Sequence, residues 1–191
     1  QQCAQARHLR RKGFGLRLLW DGTKPETRWD DPENEIVVAM GPVCGNTNYP
    51  GSGKSLVVSL SPMTGVPIDS NVGGYFGPYL KFGGWDALEL QGKADVETIV
   101  FIDNVEGFVR FYESPAGLQE DTHLLADELT RAFAGGLASS GGDASSGGLA
   151  SADPTELQAI SVISAGRGAD HSPMGVLNFS LYDRRRDGIR V

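Results

Sequence analysis

YPGSGKSLVVSLSP, residues 49–62, decides between two architectures. Closely spaced glycines followed by Lys54 and Ser55 have the composition of a nucleotide phosphate loop, which would open a helix in an α/β protein. Such a loop needs a glycine, four further residues, and then Gly-Lys-Ser/Thr. Counting back from Gly53, that first glycine belongs at position 48, where Asn48 stands. After Ser55 come Leu56, Val57, Val58, Ser59 and Leu60, β-rich in type and stopped by Pro62. The stretch therefore leads into a strand, and an ATP-type loop is excluded. A tight turn with a lysine at its exit remains. Its glycines let backbone N–H groups approach an anion, and Lys54 adds a point charge.

The flanking sequence has the same grammar of short apolar runs punctuated by Gly and Pro. Ile36–Met40, Leu56–Leu60 and Ala87–Leu90 are predicted strands. ETIVFIDNVEGFVRFYES, residues 97–114, predicts a hairpin with arms Thr98–Ile102 and Phe108–Tyr112, turned by Asp103, Asn104 and Gly107. LQAISVISAG (157–166) and GVLNFSLY (175–182) are also strand-like. Helices are fewer. Residues 4–20 have helical character weakened by Gly13 and Gly15. Residues 121–133 have Asp121 as a cap, with Leu125, Leu129 and Phe133 recurring on one face. GPYLKFGG (77–84) predicts a short helix with Pro78 in its first turn and Gly83 or Gly84 at its stop. The sum is a strand-rich α+β fold of two β-containing parts with few helices.

Between those parts, GGLASS, GGDASS and GGLASA repeat over residues 135–152. Units of Gly, Ala and Ser bury too little apolar surface to offset the entropy of ordering, so this is predicted to be a flexible low-complexity insertion.

At 191 residues, 40% of them hydrophobic and 21% charged, the chain can build a core. Its net charge of −7 does not favour nucleic acid or an anionic membrane, both of which need a positive field. The basic clusters at Arg7, Arg10, Arg11 and Lys12, and at Arg184, Arg185, Arg186 and Arg190, read as solvated faces or contacts with further chain. Two cysteines, Cys3 and Cys44, cannot make a disulfide framework or a four-cysteine metal site. Cys44 reads as a small buried residue, and Trp85 as a packing residue. Asp86 and Glu89 read as solvated or turn-capping, and His8, His123 and His171 show no metal-ligand spacing. No apolar run spans a membrane and no signal peptide is present, which points to the cytoplasm. A start at Gln-Gln and a stop at Arg190-Val191 lead us to expect one incomplete domain, residues 1–191, of a longer protein.

A second glycine-rich region follows the first: DSNVGGYFGPYLKFGGWDALELQGKA, residues 69–94. Asp69, Ser70 and Asn71 are cap-type residues ahead of the short helix, and Gly73 and Gly74 permit close backbone approach. Two anion-friendly elements around one strand suggest a ligand with more than one polar end; a glycine-rich β-corner would use the same residues.

Residues 41–94 as a whole resemble the N-terminal domain of the tungsten-containing aldehyde:ferredoxin oxidoreductase family, which includes the tungsten subunit of the aromatic acyl-CoA reductases. GPVCG, the glycine loop with its basic residue, SPMTG, SNVGGYFGP and LKFGGWDALELQGKA occur in order. The likeness extends loosely over the hairpin at 97–112 and weakly over ISVISAGRGADHSPMGVLNFS.

The resemblance implies a β-rich base for a tungsten (or molybdenum) bis-pterin whose phosphates are joined through magnesium. It assigns Lys54 to the place of a family arginine that contacts one pterin. Asn71 falls on a position that offers a backbone carbonyl to magnesium, and Gly73 on a main-chain contact to the pterin. Lysine keeps the charge but loses the planar fork. The family's second arginine- and glycine-rich pterin motif lies further along than AGRG (165–168). Its [4Fe–4S] cysteines and acid/base residues belong to later domains. The implied activity is interconversion of aldehydes and carboxylic acids, with electrons passed to ferredoxin or an iron–sulfur subunit. Ring reduction of an aromatic acyl-CoA, or a non-catalytic module that kept the fold and lost the cofactor, are the alternatives. The chain by itself is not expected to be catalytic.

Overall fold

The computed structural model describes residues 11–134, 153–173, 176–183, 185–186 and 188–191. The repeat at 135–152 and the segment before residue 11 lie outside the described residues. The architecture is α+β, with few helices and several small antiparallel sheets. Contacts divide the chain into two compact units, Gln1–Gly73 with Gly77–Lys93, and Gly74–Phe76 with Ala94–Val191.

In the first unit, helix α1 (Arg11–Gly22) precedes strands β1 (Glu35–Met40), β2 (Ser55–Leu60) and β3 (Pro67–Val72). Helix α2 (Phe76–Phe82) and strand β4 (Ala87–Gln91) follow. The four strands form an antiparallel sheet in the order β3-β2-β1-β4. Val37 pairs with Val58 and Ala39 with Leu56, which places these four side chains on one face. Leu19 of α1 closes over them, and all five residues are buried. A fully buried Val or Leu contributes roughly 1.5–3 kcal/mol, so this cluster is the unit's main source of stability. Gly15, which weakens α1 as an isolated helix, is what lets it dock. A Cβ there would lie 2.9 Å from Val58 Cγ2 and 3.3 Å from the Ala39 Cβ.

The other face carries Val38, Met40 and Ser55, also buried, with α2 over Met40 and Ser55. Burial on both faces explains why β1 is apolar without alternation. Strand β3, polar and mostly exposed, is the sheet edge, where Pro67 at its first position costs no ladder bond. Here the structure corrects the sequence reading. Asp69, Ser70 and Asn71 are strand residues and not a helix cap, while α2 begins at Phe76, one residue before the predicted start at Gly77. Their ladder with β2 outweighs their capping preference.

The second unit contains the hairpin β5 (Thr98–Asp103) and β6 (Phe108–Glu113), then helix α3 (Thr122–Ala132) and short helix α4 (Pro154–Gln158). Four short strands in two pairs and a 3-10 turn complete it: β7 (Ile163–Ser164) paired with β8 (Asn178–Phe179), the turn Arg167–His171, and β9 (Leu181–Asp183) paired with β10 (Gly188–Arg190). The hairpin turn is as expected. The Val105 and Glu106 amides donate to Asp103 Oδ1 at 2.8 and 2.9 Å, and Gly107 takes φ +72°. One hairpin face packs aromatics: Phe101 stacks on Phe133 at 4.9 Å between ring centroids, and Tyr112 meets Phe133 edge-on at 5.7 Å. Leu157 and Gln158, read as strand, belong to α4, because Asp153 caps that helix and Pro154 begins it.

Candidate functional site

Lys54, Asn71 and Gly73 converge on one end of the β2–β3 ladder. The ladder's last pairs are Leu56 with Asn71 and Ser55 with Val72. Lys54 and Gly73 are the residues immediately beyond, one on each strand. The turn that delivers Lys54 is tied internally. The Gly45 amide donates to the Ser52 carbonyl at 3.1 Å, the Ser52 amide to the Tyr49 carbonyl at 3.3 Å, and Ser52 Oγ to the Asn46 carbonyl at 2.7 Å. Gly51 takes φ +75°, a conformation that only glycine adopts without strain. Buried Cys44 points its thiol at the Lys54 carbonyl at 3.9 Å, so it serves the turn, as its small buried character suggested.

All three residues are exposed. Nothing lies within 4 Å of where a Gly73 Cβ would stand, so the main chain there is open to a flat ligand. Asp69, on the same strand, is matched by Lys12 at 2.6 Å, which reduces the negative field beside Asn71. A positive side chain, open main chain and a neutralised carboxylate fit an anionic group such as a pterin phosphate. Among the described residues no group of three or more His, Cys, Asp or Glu could hold a metal ion.

The other residues singled out from the sequence fall elsewhere. Asp86 forms an ion pair with Lys81, and Trp85 is 39% exposed, so it packs less than expected. In AGRG, the Arg167 amide donates to the Glu120 carbonyl at 3.0 Å and the guanidinium pairs with the Glu120 carboxylate. A Cβ on Gly166 would sit 3.2 Å from the Glu120 carbonyl oxygen. That stretch closes on the start of α3 inside the second unit. Sequence reasoning missed two contacts, Ser55 with Gly77 and Glu35 with Gly22. The glycines were visible, but their partners are distant in sequence.

Fold and site together define an α+β chain whose antiparallel sheet presents Lys54 and the open side of Gly73 at one end of its β2–β3 edge. A model of the family described as aldehyde ferredoxin oxidoreductase, N-terminal domain, matches residues 3–169, and the chain belongs to that family. The tungsten-containing aldehyde ferredoxin oxidoreductase of Pyrococcus horikoshii is 42% identical over 97 residues, covering 50% of this chain and 16% of that protein. Its counterpart in Pyrococcus furiosus is 40% identical over 91 residues, covering 48% of this chain and 15% of that protein. Among solved structures, the active site complex BamBC of benzoyl coenzyme A reductase, in complex with 1,5 dienoyl-CoA, superimposes with a TM-score of 0.51. It is 31% identical and covers 56% of this chain and 16% of that one. The chain thus matches a small fraction of the length of each relative.

Proposed function

We propose that this chain is the N-terminal cofactor-base domain of a tungsten (or molybdenum) bis-pterin oxidoreductase that interconverts aldehydes and carboxylic acids. The observation that carries the reading is the convergence of Lys54, Asn71 and Gly73 at one end of the β2–β3 edge. Oxidation of an aldehyde takes up water and releases two electrons and two protons to give the acid. The bis-pterin metal supplies that two-electron chemistry when bound. Lys54 holds an anionic part of the cofactor by charge. Gly73 lets the main chain lie against it, and Asn71 offers its carbonyl to magnesium. Downstream domains carry the [4Fe–4S] cluster and the substrate pocket, and ferredoxin or an iron–sulfur subunit accepts the electrons in an anaerobic cytoplasm. The likeness to the BamBC complex favours a second reading, the subunit of an aromatic acyl-CoA reductase in which the same base serves ring reduction.

Metal and pterin analysis of the parent protein, purified without oxygen from its natural host, tests this. Near-stoichiometric tungsten or molybdenum with pterin is expected, and their absence would leave a cofactor-free module. Lys54→Ala removes a charge-assisted contact of roughly 1.5–3 kcal/mol, so retention should fall about tenfold or more. Lys54→Arg, which keeps the charge, should not lower it. Full retention in Lys54→Ala would reject Lys54 as an anchor. Assay with aldehydes against aromatic acyl-CoA separates the two activities.

A further inference from the structure

Ser55 touches both ends of the loop that carries Gly73. At one end it pairs with Val72, the last residue of β3. At the other, Gly77 packs directly on its side chain: a Cβ on Gly77 would overlap Ser55 Oγ and stand 3.3 Å from Ser55 Cβ and Met40 Cγ. Gly77, Pro78 and Leu80 are all buried, so α2 cannot lift away at this point without exposing apolar surface. Ser55 itself is 1% exposed, and its hydroxyl has no hydrogen-bond partner. A buried hydroxyl without a hydrogen-bond partner is destabilising, so this contact is not the most stable choice for the position. Ser55 also follows Lys54 directly. One residue therefore contacts the start of the strand that presents the cation, the strand end before the three-residue loop 73–75, and the second residue of the helix after it.

We propose that Ser55 and Gly77 are positioning residues that set the Gly73 main chain at its working distance from Lys54. Touching no ligand themselves, they act through loop placement. The claim rests on the bis-pterin reading for its consequence, since a cradle of wrong width loses the cofactor. The loop placement itself can be measured without any cofactor.

The parent protein carrying Gly77→Ala, Ser55→Ala, or Gly77→Ala with Ser55→Gly is compared with wild type, at a temperature where denaturation curves show every variant folded. Hydrogen exchange of the amides of Gly73 to Tyr75 reports loop placement, and tungsten and pterin per chain report retention. Gly77→Ala should speed exchange at these amides about tenfold and lower tungsten and pterin content by a similar factor. The double variant, which vacates the space of both Oγ and Cβ, should return each to within about twofold of wild type. Ser55→Ala keeps the fold accessible if Gly77→Ala does not. It should leave stability equal or raised while still speeding exchange at Gly73 to Tyr75. Unchanged exchange in Ser55→Ala, or in a folded Gly77→Ala, overturns the proposal. So does a folded double variant that fails to recover. If exchange responds as stated while wild type holds neither tungsten nor pterin, the positioning contact stands and the bis-pterin reading falls.

Discussion

Glu35, the first residue of β1, packs its carboxyl group into the space left by the missing side chain of Gly22, the last residue of α1. A Cβ on Gly22 would overlap Glu35 Oε1 and Cδ and lie 2.5 Å from Oε2. The Gln91 amide nitrogen fastens the same corner, donating to the Gly22 carbonyl at 3.2 Å and to the Glu33 carbonyl at 3.0 Å. The end of α1 can approach the sheet here because position 22 has no side chain.

Gly22→Ala should therefore destabilise the first unit although alanine is the better helix former. Overpacking of a filled site costs about 1–3 kcal/mol, more than the roughly 1 kcal/mol that alanine adds to a helix. Urea unfolding would show a lower midpoint. An unchanged or higher midpoint would mean that the Glu35 side chain can move aside freely.

Glu35 also makes stability depend on pH. It is 6% exposed and its Oε2 has no hydrogen-bond partner. Burial, and then the charge of Glu89 on the same sheet face, raise its pKa above the ordinary 4.5. A raised carboxyl pKa means that the folded state binds the proton more tightly. No penalty applies below about pH 4.5; it grows as pH rises through the raised folded value and is complete above it. Glu35→Gln should flatten this part of the profile and be more stable than wild type at pH 7. Parallel profiles of the two proteins between pH 4 and 7 would show that the group does not ionise differently on folding.

The two faces of the β5–β6 hairpin should respond unequally. Phe133, 9% exposed, stacks on Phe101 and meets Tyr112 on one face. Phe111, 71% exposed, lies on the other, paired with Val100. Phe133→Ala should cost roughly 3–5 kcal/mol, because an isolated two-stranded hairpin is marginal and this ring is its cover. Phe111→Ser should stay within about 0.5 kcal/mol, the range of surface changes. Thermal unfolding of the two variants checks the difference, and equal losses would show that the outer face is also packed.

Asp121 caps α3, its Oδ1 accepting from the His123 and Leu124 amides at 2.8 and 3.2 Å. Asp121→Ala should cost about 0.5–2 kcal/mol, and Asp121→Asn much less. A stability change of the same size in both would point to charge and not to capping.

Local chemistry explains what was legible in advance. Strands β1, β2 and β4, the hairpin with its Asp103 and Gly107 turn, α2 and the Asp121 cap were read correctly from neighbouring residues, because each depends on periodicity or on one side chain reaching its own backbone. β3 was missed. Its residues Pro67–Val72 have little strand propensity, and pairing with β2 holds them extended. α4 was missed because Leu157 and Gln158 continue without a break into an apolar run, and the helix is set by its Asp153 cap.

For the candidate site, the sequence by itself excluded the nucleotide loop, supplied Lys54, Asn71 and Gly73 as motif residues, and placed the chain beside its family. Tertiary structure decided that these three meet at one end of a strand pair, that Lys12 offsets Asp69 beside them, and that Ser55 grips the loop between β3 and α2. It also decided what several glycines are for. A sequence shows that Gly15, Gly22 and Gly77 lack side chains, but the atoms that need the space belong to Val58, Glu35 and Ser55, and only folding brings those within van der Waals reach.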